Sequence, residues 1–237
     1  MSAAVVTALL RDPKEVAERC ERSEGLGELA LASIACLVVG AALFGGVLGS
    51  FRGGLQIGFS LIKLPLALLA TLVVSVPAVF ALNVGLGGRS SFRTIAALSL
   101  AASARASLVM AGSAPLLWLA VDRGLHYHQA VLLAAVVYLA SGIAALGIVL
   151  RGLGGSLRAV VTAAACGLVF FAVLGQTAWM LRPFFGRPSQ HSIPFVRARE
   201  GSFADALVQS SKSAMGLYES RAALRDSYES REVEDAR

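Results

Sequence analysis

The chain has 237 residues, of which 56% are hydrophobic and only 15% are charged. An average soluble domain carries roughly 25% charged residues, and the apolar residues here are gathered in blocks long enough to cross a bilayer, which excludes an ordinary soluble protein. The net charge of +6 comes from 21 Lys and Arg against 15 Asp and Glu. Most basic residues flank apolar blocks, where they suit anionic lipid headgroups, so no nucleic-acid partner is expected.

Residues 1–28 form an amphipathic N-terminal leader. Asp12, with a proline after it, is typical of a helix N-cap. In the helix that follows, Val16, Ala17 and Cys20 share one apolar face. We predict a helix lying on the membrane surface, with a solvated leader helix as the alternative, because acidic residues offset its positive charge.

Five apolar stretches predict an all-α membrane protein with a bundle of about five transmembrane helices. Each stretch can cross the roughly 30 Å hydrocarbon layer at about 1.5 Å per residue. The predicted spans are about 29–49, 57–82, 94–121, 129–150 and 159–181. The turn between the first two spans is very short, so these spans must form an antiparallel hairpin.

Small residues inside the spans indicate where helices approach each other closely. Gly45 and Gly49 are four residues apart in the first span, a small-xxx-small spacing typical of membrane helix pairs. Gly142 belongs to a second group of small residues in the fourth span. We predict that all three glycines pack against neighbouring helices.

The third span contains an arginine, Arg105, near the middle of the bilayer. Insertion scales put the cost of such a residue at roughly 2.5 to 3.5 kcal/mol. Ser103 and Ser107 stand two residues to either side, and with Arg105 they form a possible intramembrane polar site that faces other helices or a watery cavity. Two interpretations remain for this site. Either the site binds an anion or a lipid headgroup, or the arginine only donates hydrogen bonds to backbone carbonyls and serines.

Two glycine-rich loops follow the second and fourth spans. Gly85-Leu86-Gly87-Gly88 recurs as Gly152-Leu153-Gly154-Gly155. Neither loop has the Gly-Lys-Ser/Thr ending of a phosphate-binding P-loop, so we assign the glycines to turn geometry. Because two crossings separate the loops, both lie on the same side of the membrane.

Residues 182–237 form an extramembrane tail with a predicted helix from about 203 to 230. Four apolar side chains along one stripe of that helix are candidates for binding a partner: Phe203, Leu207, Leu217 and Leu224. The alternative is that the helix packs on its own protein.

The layout of residues 9–181 resembles a known family. Leu9-Leu10-Arg11-Asp12-Pro13 in the leader, Lys63-Leu64-Pro65 and Pro77 in the second span, and Ala114-Pro115 in the third resemble bacterial Yip1-like multi-span membrane proteins. The resemblance implies a cytoplasmic N-terminus, no catalytic residues and a bacterial inner membrane as the location.

The predicted spans contain neither Asp nor Glu, which argues against a proton pump and against an intramembrane aspartyl protease. No metal or cofactor motif is found, and we predict neither catalysis nor a cofactor. Our first functional hypothesis is a scaffold or accessory subunit that binds a protein partner, or another copy of itself, through the tail. The second is a small-solute or lipid transporter or channel built around Arg105.

Overall fold

The computed structural model describes residues 3–154, 157–182, 184 and 195–196. Within these residues the chain forms seven helices and no strand: α1 (Ala3–Arg11), α2 (Pro13–Arg22), α3 (Leu26–Ser50), α4 (Leu55–Gly85), α5 (Phe92–Asp122), α6 (Tyr127–Gly152) and α7 (Leu157–Leu181).

Helices α3 to α7 are long and apolar enough to cross a membrane. They have 25 to 31 residues, which corresponds to roughly 37 to 46 Å. The prediction of an all-α bundle with five spans is confirmed, and the protein is a multi-pass integral membrane protein. Each helix extends a few residues beyond the predicted span, because polar residues at the membrane surface still continue a helix.

Three prolines lie within the spans without ending a helix. Helix α4 continues through Pro65 and Pro77, and α5 continues through Pro115. Membrane helices tolerate proline because neighbouring helices and hydroxyl side chains satisfy the backbone groups that it frees. The second span is therefore one continuous helix despite its two prolines.

Glycines bring α3 against both of its neighbours. A Cβ at Gly45 would collide with the Ser60 carbonyl of α4, and a Cβ at Gly49 would lie 2.5 Å from the Gln56 carbonyl. On another face of α3, a Cβ at Gly40 would lie 2.6 Å from the Ser107 carbonyl of α5. The predicted close packing at Gly45 and Gly49 thus joins α3 to α4 in an antiparallel hairpin.

Gly142 does not share this role among the described residues. It is exposed on α6, and a Cβ there would meet nothing within 4 Å. Ser141, one residue earlier, is the buried member of that group. A composition pattern alone could not separate these two faces of α6, since both are lined by small residues.

The remaining spans pack outside this centre. Helix α6 packs mainly on α5, and α7 packs mainly on α4. The most apolar segments of α6 and α7 are less buried in the protein than those of α3 to α5. Much of their apolar surface is therefore left for the lipid.

The leader forms two short helices that pack on the bundle. The Asp12 carboxylate caps α2 by accepting hydrogen bonds from the backbone N–H groups of residues 14 and 15 at 3.2 and 3.0 Å. The apolar face with Val16, Ala17 and Cys20 is fully buried, and α2 contacts α5 and α6. The face that the sequence assigned to the bilayer therefore contacts protein, because the ends of α5 and α6 offer apolar surface beside it.

Helices α4 and α6 end in the same geometry. Gly87 and Gly154, the third residues of the two repeated loops, both have left-handed φ angles of +77° and +88°. Leu86 donates its N–H to the carbonyl of Leu82, four residues back. The residue before Gly154 likewise donates its N–H to the carbonyl four residues before it. A left-handed glycine after a helix cap is a common way to end a helix, so the prediction of turn geometry is confirmed.

Candidate functional site

Arg105 lies close to the middle of its helix. It is the fourteenth of the 31 residues of α5, so its Cα is about 3 Å from the helix midpoint. Helical side chains lean toward the N-terminus of their own helix. The guanidinium of Arg105 therefore extends toward the membrane end where α5 begins and α6 ends.

The guanidinium of Arg105 is incompletely satisfied. Its Nη1 atom is buried and has no hydrogen-bond partner among the described residues. Arg151, near the C-terminal end of α6, lies within electrostatic range of Arg105 and carries the same charge. Arg151 donates a hydrogen bond from Nη1 to the carbonyl of Gly147 at 2.8 Å. Arg105 thus has an unsatisfied donor, and the charge of Arg151 within its electrostatic range has the same sign.

The two serines predicted to accompany Arg105 lie elsewhere. Ser107 is fully buried, its backbone lies against Gly40 of α3, and its hydroxyl donates to the carbonyl of Ser103 at 3.0 Å. Two residues along a helix correspond to a rotation of about 200°. Ser103 and Ser107 therefore belong to the contact between α5 and α3, whereas Arg105 lies on the opposite side of α5.

The spans hold positive charge without matching negative charge. Lys63 and Arg105 are inside, and Arg93, Arg151 and Arg158 are near helix ends, while acids occur only in the first turn of α3 and at the last residue of α5. A buried charge is normally paired or coordinated. The helices themselves supply no carboxylate near the middle of the bilayer.

Lys63 is a second cation in the spans, and its surroundings were not predicted. Its side chain is fully buried although it lies only about 12 Å along the axis from the start of α4. Its Nζ lies 5.8 Å from the ring centre of Phe59 and 4.9 Å from that of Phe195. These two rings pack edge to face with centroids 5.2 Å apart, so the ammonium group is bound by a pair of aromatic rings.

Polar side chains of the same α4 face hold the chain that follows α7. Ser60 donates from its hydroxyl to the Phe184 carbonyl at 2.7 Å, and Gln56 donates from Nε2 to the same carbonyl at 2.9 Å. Gln56, Ser60 and Lys63 are spaced by four and three residues and therefore share one helix face. This spacing could have indicated from the sequence that α4 has a polar face. Its partners, Phe184 and Phe195, are more than 120 residues away and could not be read from it.

The candidate partner-binding residues Phe203, Leu207, Leu217 and Leu224 lie outside the described residues. Within the described part of the chain, no group of three or more His, Cys, Asp or Glu side chains is placed to hold a metal ion. The spans contain fixed positive charges, hydroxyl groups and the buried thiols of Cys36 and Cys166.

The chain matches no protein-family model, no curated protein and no solved structure. The resemblance to Yip1-like proteins consequently stays a prediction, and the functional argument rests on the two cationic sites.

Proposed function

We propose that this integral membrane protein binds an anion at Arg105 and Arg151, and that it is a non-enzymatic transporter or lipid-handling protein. The observation that carries the proposal is the buried Nη1 of Arg105, which lacks a partner among the described residues, while Arg151, a charge of the same sign, lies within electrostatic range. Two guanidinium groups repel each other unless an anion lies between them. Arginine suits oxyanions such as phosphate because its planar fork donates two parallel hydrogen bonds.

The second hypothesis from the sequence therefore takes first place. The scaffold hypothesis depends on tail residues that lie outside the described structure, whereas Arg105 has a specific unsatisfied atom. We keep the scaffold as the other candidate, because the Phe184 carbonyl and the Phe195 ring are held by α4 and so fasten the start of the tail to the bundle.

The test of anion binding uses the purified full chain in detergent. Inorganic phosphate and, separately, vesicles of phosphatidylglycerol are titrated while thermal unfolding is followed. A ligand that binds only the folded state raises the unfolding temperature with its concentration. We expect at least one of the two to stabilise the wild type and neither to stabilise Arg105→Gln.

The matched control is Arg93→Gln, because Arg93 is an exposed arginine in the first turn of the same helix. It should respond like the wild type. Absence of stabilisation by both phosphate and phosphatidylglycerol would contradict the proposed function. The scaffold candidate is tested by Leu207→Glu with Leu217→Glu, which should abolish retention of a partner in native membranes and leave the membrane domain inserted.

A location in a bacterial inner membrane belongs to the same proposal, as does a protein partner or a second copy of the chain. These follow from the layout that resembles Yip1-like proteins. Expression in bacteria followed by separation of inner and outer membranes tests the location.

A further inference from the structure

One ridge of α6 runs from the lipid-facing apolar surface to the cationic site. Leu139, Ile143, Gly147 and Arg151 follow each other at intervals of four residues and so lie along one line of the helix. Leu139 and Ile143 are 67% and 62% exposed. The line thus consists of exposed apolar side chains with a guanidinium group at its end.

Gly147 places the guanidinium of Arg151 on this ridge. A Cβ at Gly147 would lie 3.3 Å from Nη1 of Arg151, and that nitrogen donates to the Gly147 carbonyl. Arg151 is therefore folded back over Gly147, away from its own helix end and toward the interior of the bilayer. A larger residue at position 147 would occupy the surface on which the guanidinium lies.

The Arg151 side of the site is open, whereas the Nη1 atom of Arg105 is buried. Arg105 is half-buried and Arg151 is exposed, whereas a site for a small solute crossing the protein would need to be enclosed against the hydrocarbon. From Gly147 back to Leu139 the ridge is about 12 Å long, which is close to the roughly 15 Å of hydrocarbon in one leaflet. The open side of the site therefore matches a phospholipid in the order of its groups. A cationic end can bind the anionic headgroup, and the apolar ridge beside it can contact the acyl chain.

We propose that the anion held by Arg105 and Arg151 is the phosphate of an anionic membrane lipid whose acyl chain lies on the ridge of α6. This inference rests on the proposed anion binding and specifies its ligand. The phosphate would accept hydrogen bonds from Arg105 and Arg151 and separate their two positive charges.

The experiment measures the lipids retained by the full-length protein after extraction from mixed vesicles of phosphatidylglycerol and phosphatidylcholine. Native mass spectrometry counts the lipids bound to each protein. We expect the wild type to retain phosphatidylglycerol in preference, and Arg105→Gln and Arg151→Gln to reduce its retention by about tenfold or more, as for the loss of a charge-assisted hydrogen bond. Arg93→Gln should retain the wild-type amount. Since Arg151 is exposed, its variant should fold even if Arg105→Gln does not.

A second variant tests the geometry without removing a charge. Gly147→Leu adds a side chain under the Arg151 guanidinium and should reduce phosphatidylglycerol retention although both arginines remain. Gly142→Leu is the matched control, because Gly142 is an exposed glycine of the same helix with nothing within 4 Å of its Cβ position. It should retain the lipid.

The other outcomes overturn one proposal or both. If inorganic phosphate stabilises the protein through Arg105 while phosphatidylglycerol is not retained, the anion site stands and the lipid does not. If both lipids are retained equally in every variant, the binding is adventitious annular lipid only. If Ile143→Glu dissociates a dimer, the ridge is an interface between two copies and the lipid assignment is wrong.

Discussion

Lys63 and Arg105 are two cations inside the spans of one protein, and the protein surrounds them in different ways. Lys63 is fully buried, and the aromatic rings of Phe59 and Phe195 cover it. Arg105 is half-buried, and its Nη1 is left without a partner in the described part of the chain. The difference teaches that burial by itself does not identify a binding site. A binding site is indicated when a buried polar group still lacks a hydrogen-bond partner.

The two positions also differ in the groups that surround the positive charge. At Lys63 the chain supplies the cover itself, through the segment that follows α7. At Arg105 the neighbouring charge has the same sign, and the side of the site is open. We therefore expect substitutions at Lys63 to change stability and substitutions at Arg105 to change ligand binding.

The largest effect is expected from a substitution that separates α3 from α4 and so opens the Lys63 end of the bundle. In Gly45→Leu, the new side chain would collide with the Ser60 backbone carbonyl, which cannot move without shifting α4. We expect the folded protein to be lost, as measured by gel filtration of membrane extracts. The control is Gly58→Leu, since Gly58 is an exposed glycine of α4 with nothing near its Cβ position. A monodisperse Gly45→Leu protein would show that this close contact is not needed.

Reversing the charge at Lys63 should have the next largest effect. In Lys63→Glu, a carboxylate would face two aromatic rings whose faces are negative, and an uncompensated buried charge costs about 3 kcal/mol or more. Lys63→Met keeps the length and the apolar contacts but loses both cation–π contacts, so it should lose less stability than Lys63→Glu, about 1 to 2 kcal/mol. An unchanged unfolding temperature in Lys63→Met would mean that the aromatic cover does not stabilise the ammonium group, and the comparison with Arg105 would no longer hold.

Replacement of Arg105 by leucine should act in the opposite direction. Arg105→Leu removes a charge from the middle of the bilayer and should raise the stability of the ligand-free protein by up to roughly 2.5 to 3.5 kcal/mol, while the response to phosphatidylglycerol disappears. Thermal unfolding with and without the lipid measures both effects. A variant that is destabilised, yet still responds to the lipid, would make Arg105 a structural residue like Lys63.

A smaller loss is expected at the cover of Lys63. Phe195→Ala removes one cation–π contact and one edge-to-face aromatic pair, together worth about 1 to 2 kcal/mol. The neighbouring Val196→Ala is the control, because Val196 is also exposed on one side and has no aromatic ring. If the two variants unfold at the same temperature, the aromatic cover contributes nothing to stability.

The smallest effect concerns Cys20, at the membrane end to which Arg105 extends. Burial raises the pKa of the Cys20 thiol from 9.0 to about 11. Below pH 9 the thiol is protonated in both the folded and the unfolded protein, so it does not change stability. Between pH 9 and about 11 the unfolded chain ionises first, and stability should fall as the pH rises.

Alkylation provides the measurement at Cys20. The thiol should react slowly with a maleimide at pH 8, whereas a cysteine at the exposed Ser23 should react fast. Rapid alkylation of Cys20 would mean that the leader does not cover this end of the bundle. The site at Arg105 would then also be accessible from that end.

Much of the architecture could be predicted because each span satisfies its own backbone hydrogen bonds and must match the bilayer. Length and hydropathy therefore suffice to find α3 to α7. Local chemistry also suffices for the Asp12 cap and for the turns at Gly87 and Gly154, since their hydrogen-bond partners are at most five residues away.

The sequence by itself determined that this is an all-α protein with five spans, that Gly45 and Gly49 lie in a close helix contact, and that Arg105 is a costly charge within the bilayer. Only the tertiary structure decided that Ser103 and Ser107 face α3, that Arg151 lies within electrostatic range of Arg105, and that Phe195 covers Lys63. The physical reason is that periodicity fixes which residues share a helix face, but not which face meets which neighbour. That choice depends on contacts between side chains far apart in the chain, and the two cations differ in those contacts.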